Sequence, residues 1–197
     1  SSLVRKKIEE FASLKLPLDM ICTSHGVIWR KNPLDIVNAY MKWADSYRED
    51  QVTIIYDTMW DGTRIMAEEI AKGIHAESPQ TNVKVFNVAR SDKNDVITEV
   101  FKSKAILAGS PTVNKGILSA LAGILEEIRG LGFKNKKAAA FGSYGWSGES
   151  VKVIADLLTR AGFGLVNDGI KLTWNPDEEG RKVCFDYGRD FAGHVKS

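Results

Sequence analysis

From Val52 onward, apolar residues follow two spacings that take turns along the chain. Short apolar runs at residues 52–56, 83–88, 104–109 and 137–141 read as buried strands. Between them, apolar positions recur every three or four residues, as on the inner face of a helix. The first such face holds Met66, Ala67, Ile70, Ala71 and Ile74. The second covers residues 92–102, with Ser91 as its expected N-cap. The third carries Ile117, Leu121, Ile124, Leu125 and Ile128 and is closed by Gly130 and Gly132. The fourth presents Val151, Ile154, Ala155 and Leu158 and stops at Gly162. A fifth strand falls within residues 165–174, interrupted at the polar pair Asn167 and Asp168. A fifth helix, from 177 to about 192, is expected to bury Val183, Cys184, Tyr187 and Phe191.

Strands and helices that alternate in this way predict an α/β fold: a five-stranded parallel sheet with right-handed crossovers and helices on both faces. Five such units in about 145 residues fit the strand order 2-1-3-4-5, whose switch point lies between strands one and three. The loops leaving strands one and three, joined by that of strand four, are therefore expected to form one pocket. Residues 1–50 follow another pattern. A short amphipathic helix at 3–14 ends at Pro17, residues 20–23 are a candidate strand, and a helix after Pro33 carries Ile36, Val37, Tyr40, Met41 and Trp43. The polar stretch 46–51 makes a junction. The opening segment has too few core residues to fold alone, so the expected division is 1–50 and 51–197.

Composition narrows the classes of function. The chain has 197 residues, 44% hydrophobic and 26% charged, which is ordinary for a globular protein. Its net charge of +2 comes from basic residues scattered among acidic ones, unlike the clustered patch of a nucleic-acid binder. No apolar run approaches the roughly 20 residues that span a bilayer, and the charged first helix does not read as a signal peptide. Neither a membrane nor a nucleic acid is expected as partner. Cys22 and Cys184 are far apart, without metal or redox spacing. Both read as buried small residues in a reducing, cytoplasmic protein.

The chemistry is concentrated in the three pocket loops. The first is Thr58, Met59, Trp60, Asp61, Gly62 and Thr63, at the entrance to the first helix. Unpaired N–H groups and the helix dipole there suit a phosphate, and the threonine hydroxyls add neutral donors. The second is Ser110, Pro111, Thr112, Val113 and Asn114, and the third is Ser143, Tyr144, Gly145, Trp146, Ser147 and Gly148. Hydroxyls, glycines and aromatic rings in one place suit a flat ring system with polar edges, with Tyr144 and Trp146 offering stacking faces. Other nucleotide sites lack their signatures. There is no G-x-x-x-x-G-K-[ST], and no G-x-G-x-x-G after strand one. Strand three ends in Ala108-Gly109-Ser110-Pro111, without the aspartate of a phospho-receiver domain.

The runs Asp57-Thr58-Met59-Trp60-Asp61-Gly62-Thr63, Gly109-Ser110-Pro111-Thr112 and Phe141-Gly142-Ser143-Tyr144-Gly145-Trp146-Ser147-Gly148 resemble the FMN-binding, flavodoxin-like module of the flavodiiron proteins, also called A-type flavoproteins and including flavorubredoxin-like members. The resemblance covers residues 52–192. It implies FMN as cofactor, with the phosphate on residues 58–63, the ribityl chain and ring flanked by 110–114, and the ring edge and one face met by 143–148. It also implies electron transfer from a rubredoxin or similar donor to a di-iron site of a partner subunit in a homodimer, which reduces oxygen or nitric oxide. Thr23-Ser24-His25-Gly26, followed by Trp29, resembles the last segment of that family's metallo-β-lactamase-like domain, in which the histidine is a di-iron ligand. One histidine cannot hold two irons, so the resemblance implies a metal only in a full-length protein of which this chain is a fragment. A cation near the ring, Lys115 or Arg64, would favour the reduced anion. Two alternatives stand beside this reading: a self-contained NAD(P)H:quinone oxidoreductase of the same fold, and a flavin-free interaction module.

Overall fold

Residues 2–196 are described by the structure, a computed structural model, and they divide between Tyr47 and Arg48 into two units. The first unit has two helices, α1 (Ser2–Ser13) and α2 (Leu34–Trp43), and neither has a fully buried residue. The expected strand at 20–23 is reduced to a single antiparallel bridge, Ile21 with Trp29, closed by N–H···O bonds of 3.0 and 2.9 Å. With a single bridged pair the stretch forms no strand, and Cys22 is exposed rather than buried.

The second unit runs β1 (Glu49–Tyr56), α3 (Gly62–Glu77), β2 (Asn82–Asn87), α4 (Lys93–Lys102), β3 (Ser103–Gly109), α5 (Ser119–Leu131), β4 (Lys137–Tyr144), α6 (Ser150–Arg160), β5 (Gly164–Leu165), β6 (Ile170–Thr173) and α7 (Glu178–His194). The named strands pair in parallel throughout, in the order β2-β1-β3-β4, with β5 and β6 both on the outer side of β4. The expected order 2-1-3-4-5 therefore holds, and the fifth strand is one edge broken in two. Asn167 marks the break. Its Oδ1 accepts from the Tyr187 hydroxyl at 2.7 Å and from the Gly169 N–H at 3.0 Å, turning the chain out of the sheet.

Alternate residues of the central strands feed two apolar layers. Ile55, Ile106, Ala108, Ala138 and Ala140 meet α4, α5 and α6, and Ile54, Tyr56, Leu107, Ala139 and Phe141 meet α3 and α7. This period-two alternation between two covered faces is what makes the strands read as continuous apolar runs. On the second face the helices touch at their backbones. A Cβ on Gly188 would lie 2.2 Å from the Ile70 carbonyl oxygen, and one on Gly73 would lie 2.0 Å from that of Phe185.

Several local expectations are corrected. Asp92, not Ser91, caps α4, its carboxylate accepting from the N–H groups of Asn94 and Asp95. Gly132 ends α5 in the left-handed conformation, whereas Gly130 lies inside the helix and Ile117 before it. On α7 the inward stripe is Cys184, Gly188, Phe191 and Ala192, leaving Val183 exposed and Tyr187 half-buried. Strand β4 continues three residues past Phe141, because β6 pairs with Phe141 through Tyr144.

Candidate functional site

At the carboxyl rim of the sheet, the segments after β1, β3 and β4 border a cleft of about 470 Å³ lined by Met59, Trp60, Gly62, Pro111, Thr112, Ser143, Tyr144, Gly145, Trp174 and Asn175. A lobe of about 360 Å³ continues it past Thr112, Gly145 and Trp174 to Asn114, Lys115, Trp146 and Ser147. The volume is in the range of small-molecule sites. A hollow of about 530 Å³ lies at the opposite rim, among Asp50, Lys104, Lys136, Lys137 and Lys196. Its walls are charged and carry no aromatic ring, so the carboxyl-rim cleft is the better candidate for a flat ligand.

The first loop is fixed at its root. The Asp57 N–H donates to the Gly109 carbonyl at 3.0 Å, and the buried Asp57 carboxylate accepts the Thr58 N–H at 2.8 Å. Asp61 is left-handed, with φ +65°, and its carbonyl accepts the Ile65 N–H to begin α3. The first-turn N–H groups of α3 have no partner within the helix. Thr58 Oγ1 is buried and makes no hydrogen bond. Met59 and Trp60 are exposed, Trp60 by 81%.

Other hydroxyls of the three segments bind one another. Thr63 Oγ1 and Ser143 Oγ are 3.0 Å apart, tying the start of α3 to the end of β4. Ser110, fully buried, donates to the Pro111 carbonyl at 2.9 Å and accepts the Leu118 N–H at 3.0 Å. Its hydroxyl shapes the second loop from behind the cleft. Thr112 donates its N–H to the Ser143 carbonyl at 2.9 Å, and its hydroxyl bonds both the Oγ and the N–H of Ser150. Val113 and Gly116 form a two-bond bridge around Asn114 and Lys115, both at positive φ. This tight turn of the hairpin kind directs Asn114 and Lys115 to the outer lobe.

On the third segment, Trp146 is 89% exposed. Tyr144 is backed by Gly148, at φ +72°, and by the Lys171 ammonium, 5.6 Å from its ring centre. That distance is within reach of a cation–π contact. Ser147 donates to the Glu149 carboxylate at 2.7 Å. That bond, together with the cations Lys115 and Lys171, holds the Glu149 carboxyl below its ordinary range. Arg64 is not available to the cleft as a lone cation, because it pairs with Asp61 at 2.9 Å and Glu68 at 2.7 Å. The Arg64 hydrogen bond holds the Asp61 carboxyl below its usual range.

Of the residues expected from sequence, Met59, Trp60, Gly62, Pro111, Thr112, Asn114, Ser143, Tyr144, Gly145, Trp146 and Ser147 line the two lobes. Thr58, Asp61, Thr63, Ser110, Val113 and Gly148 stand behind or beside them. His25 is in the other unit, exposed, and no three metal-ligating side chains cluster among the described residues. Sequence reading missed Trp174 and Asn175. The available signal was a tryptophan at a strand exit, the position of Trp60 after β1.

The chain matches the flavodoxin family over residues 54–188. It is 53% identical over 192 residues to the anaerobic nitric oxide reductase flavorubredoxin of Aliivibrio fischeri, which covers 98% of this chain and 38% of that protein. Among solved structures, the rubredoxin oxygen:oxidoreductase of Desulfovibrio gigas superposes with a TM-score of 0.90 at 33% identity, over 98% of this chain and 48% of that one. A flavodoxin from the domain Archaea superposes with a TM-score of 0.67 at 28% identity, over 75% of this chain and 99% of that one. The chain thus spans well under half the length of the curated relatives it matches.

Proposed function

The chain belongs to the flavodoxin family, as the FMN-binding part of a flavodiiron protein of flavorubredoxin type, and from that premise we propose that it works as an electron-transfer module whose acceptor, a di-iron site, lies outside it. The residues present fit FMN. Its phosphate needs donors, and the start of α3 offers first-turn N–H groups, with the buried, unpaired Thr58 hydroxyl four residues before it in the chain. That hydroxyl carries the reading. A buried polar atom without a partner costs about 1–3 kcal/mol, and an anion seated at the helix start removes the cost.

When bound, FMN supplies reversible one-electron chemistry. The chain supplies position and surroundings. Residues 58–63 hold the phosphate, Pro111 to Asn114 flank the ribityl chain and ring, and Ser143 to Ser147 meet the ring edge. Ser110, Thr63 and Gly148 keep those walls in place. Trp60 and Trp146 offer apolar faces, each contact adding about 0.5–1.5 kcal/mol beyond area burial. We assign no residue a proton-transfer role.

In the whole protein we place the module between a rubredoxin-type donor and the di-iron domain of a partner subunit in a homodimer. Two observations support this. The chain is 38–40% of the length of the flavorubredoxins it matches, and exposed Met59, Trp60 and Trp146 make an apolar rim of the kind a partner covers. We read the opening segment, residues 1–50, as the end of the di-iron domain with its linker, and His25 as one of that domain's ligands. The free thiols of Cys22 and Cys184 support a reducing, cytoplasmic setting. The quinone oxidoreductase alternative is not favoured, since the relatives that span this chain carry it as one part of a longer protein.

The test is an absorption spectrum of the purified chain, acid release of its flavin, and titration of the ligand-free protein with FMN and with riboflavin. The expected result is release of FMN, and FMN affinity at least about tenfold above that of riboflavin, the worth of one hydrogen bond to a charged group. Equal affinities, or no flavin binding, refute the proposal.

A further inference from the structure

The turn between β6 and α7 adds a wall to the cleft that the three loops do not account for. Trp174 lines both lobes. Its backbone is anchored by an N–H···O bond of 2.9 Å to Tyr144, the last residue of β4. Its φ is +57°, in the left-handed region that a residue bearing a Cβ rarely adopts. The indole lies over Gly145, so that a Cβ there would meet ring carbon Cη2 at 3.3 Å. The next step of the turn reaches the other end of the cleft. A Cβ on Gly62, the first residue of α3, would meet Asn175 Oδ1 at 2.8 Å and the Trp174 carbonyl oxygen at 3.2 Å. One turn therefore braces both the phosphate end and the ring end.

Packing alone favours a mostly buried ring on a relaxed backbone. Trp174 is 68% exposed and strained. Strain held at the edge of a cavity by surrounding structure points from geometry to function. We infer that Trp174 is a further flavin-contacting residue, its indole forming an apolar wall for the ring system of FMN while the Trp174–Asn175 turn sets the width of the cleft above Gly62. The inference rests on the FMN reading given above.

The experiment compares the wild-type chain with Trp174→Gly, Trp174→Asn and Trp174→Phe. For each, the ligand-free melting temperature is measured. FMN titration then gives Kd and the quenching of flavin fluorescence by the neighbouring ring. Glycine and asparagine accept positive φ readily, so both variants are expected to melt no lower than wild type without ligand. Their Kd for FMN is expected to rise about tenfold, with weaker quenching, as fits the loss of an aromatic contact and its buried area. The Phe variant is expected to keep most of the affinity. If the Gly and Asn variants melt lower and bind FMN with unchanged Kd and quenching, Trp174 serves the fold alone and the inference is overturned. A wild-type chain that does not bind FMN overturns the functional reading and this inference together. Wild-type binding with unaltered variants overturns this inference only.

Discussion

Replacing Thr58 with valine separates what the first loop does for the fold from what it does for a ligand. In the ligand-free chain the Thr58 hydroxyl is buried without a partner. Valine keeps a β-branched shape and removes the unsatisfied group, which costs about 1–3 kcal/mol where it stands. The ligand-free variant is therefore expected to be more stable. For a chain of this length each kcal/mol is about 2–4 °C in Tm, so a rise of several degrees is expected. With FMN the sign reverses. The hydroxyl's bond to a charged phosphate is worth about 1.5–3 kcal/mol, or roughly a ten- to 150-fold change in Kd.

Thermal melts with and without FMN read both effects. At a ligand concentration of 100 times the wild-type Kd, binding adds about 2.7 kcal/mol to wild type. A variant that binds 100-fold more weakly gains only about 0.4 kcal/mol at the same concentration. The order of melting temperatures should thus compress or cross on adding FMN. Riboflavin, which has no phosphate, should bind the two proteins alike. A variant that is no more stable without ligand and binds FMN as wild type does would show that the Thr58 hydroxyl does not face the phosphate, and the carrying observation would be lost.

Three further outcomes are expected. A thiol reagent at pH 8 should titrate one cysteine in the native chain and two after unfolding, because Cys22 is exposed whereas burial pushes the Cys184 thiol up to about 12. Lys136, only 4% exposed, is pushed down to about 8, first by burial and then by the nearby Arg48. The unfolded chain therefore binds more protons than the native one between about pH 8 and the ordinary lysine value of 10.5, and stability should rise across that window, by up to about 3 kcal/mol. Denaturant titrations at pH 7.5 and 9.5 measure it, and Lys136→Met should flatten the slope. Lys115→Ala should lower the one-electron reduction potential of the flavin by on the order of 20 mV, the worth of roughly 0.5 kcal/mol between exposed charges, and less in high salt; an unchanged potential removes Lys115 from the electrostatics of the site.

The helices and central strands were legible because burial on two faces imposes a period that the residues must follow. Ile54, Ile55, Ile106 and Leu107 are apolar in succession for that reason. The end of β4 was not legible. Gly142, Ser143 and Tyr144 look like a loop, and only pairing with the distant Ile170 to Thr173 segment makes them strand. The same pairing delivers Trp174 to the cleft, which is why no local pattern announced it. Residue types in the pocket loops pointed to a polar, phosphate-bearing ligand, but they could not say which hydroxyls would be consumed by neighbours. Arg64 is a different kind of miss. Its partners Asp61 and Glu68 stand three residues before and four after it, a spacing that forms ion pairs on any helix, so its neutralisation was readable in advance.

The division between spent and unspent hydroxyls explains how the cleft holds its shape before anything enters it. Thr63 with Ser143, Thr112 with Ser150, and Ser110 with the Leu118 N–H each join segments that are distant in sequence or close a loop on itself. Those bonds fix the walls, so less ordering remains to be done on binding. Among the described residues, two buried side-chain oxygens are left without partners, Thr58 Oγ1 and Ser78 Oγ, and they stand near opposite ends of α3. Ser78 caps the carboxyl end, where the helix dipole repels an anion, and Thr58 precedes the amino end, where the dipole attracts one. A site shaped for a phosphate should show this combination: a scaffold of satisfied hydroxyls, with the unsatisfied one at the positive end of the helix. It follows that removing a spent hydroxyl, as in Ser110→Ala, should loosen the loop and weaken FMN and riboflavin equally, whereas removing the Thr58 hydroxyl should weaken FMN alone.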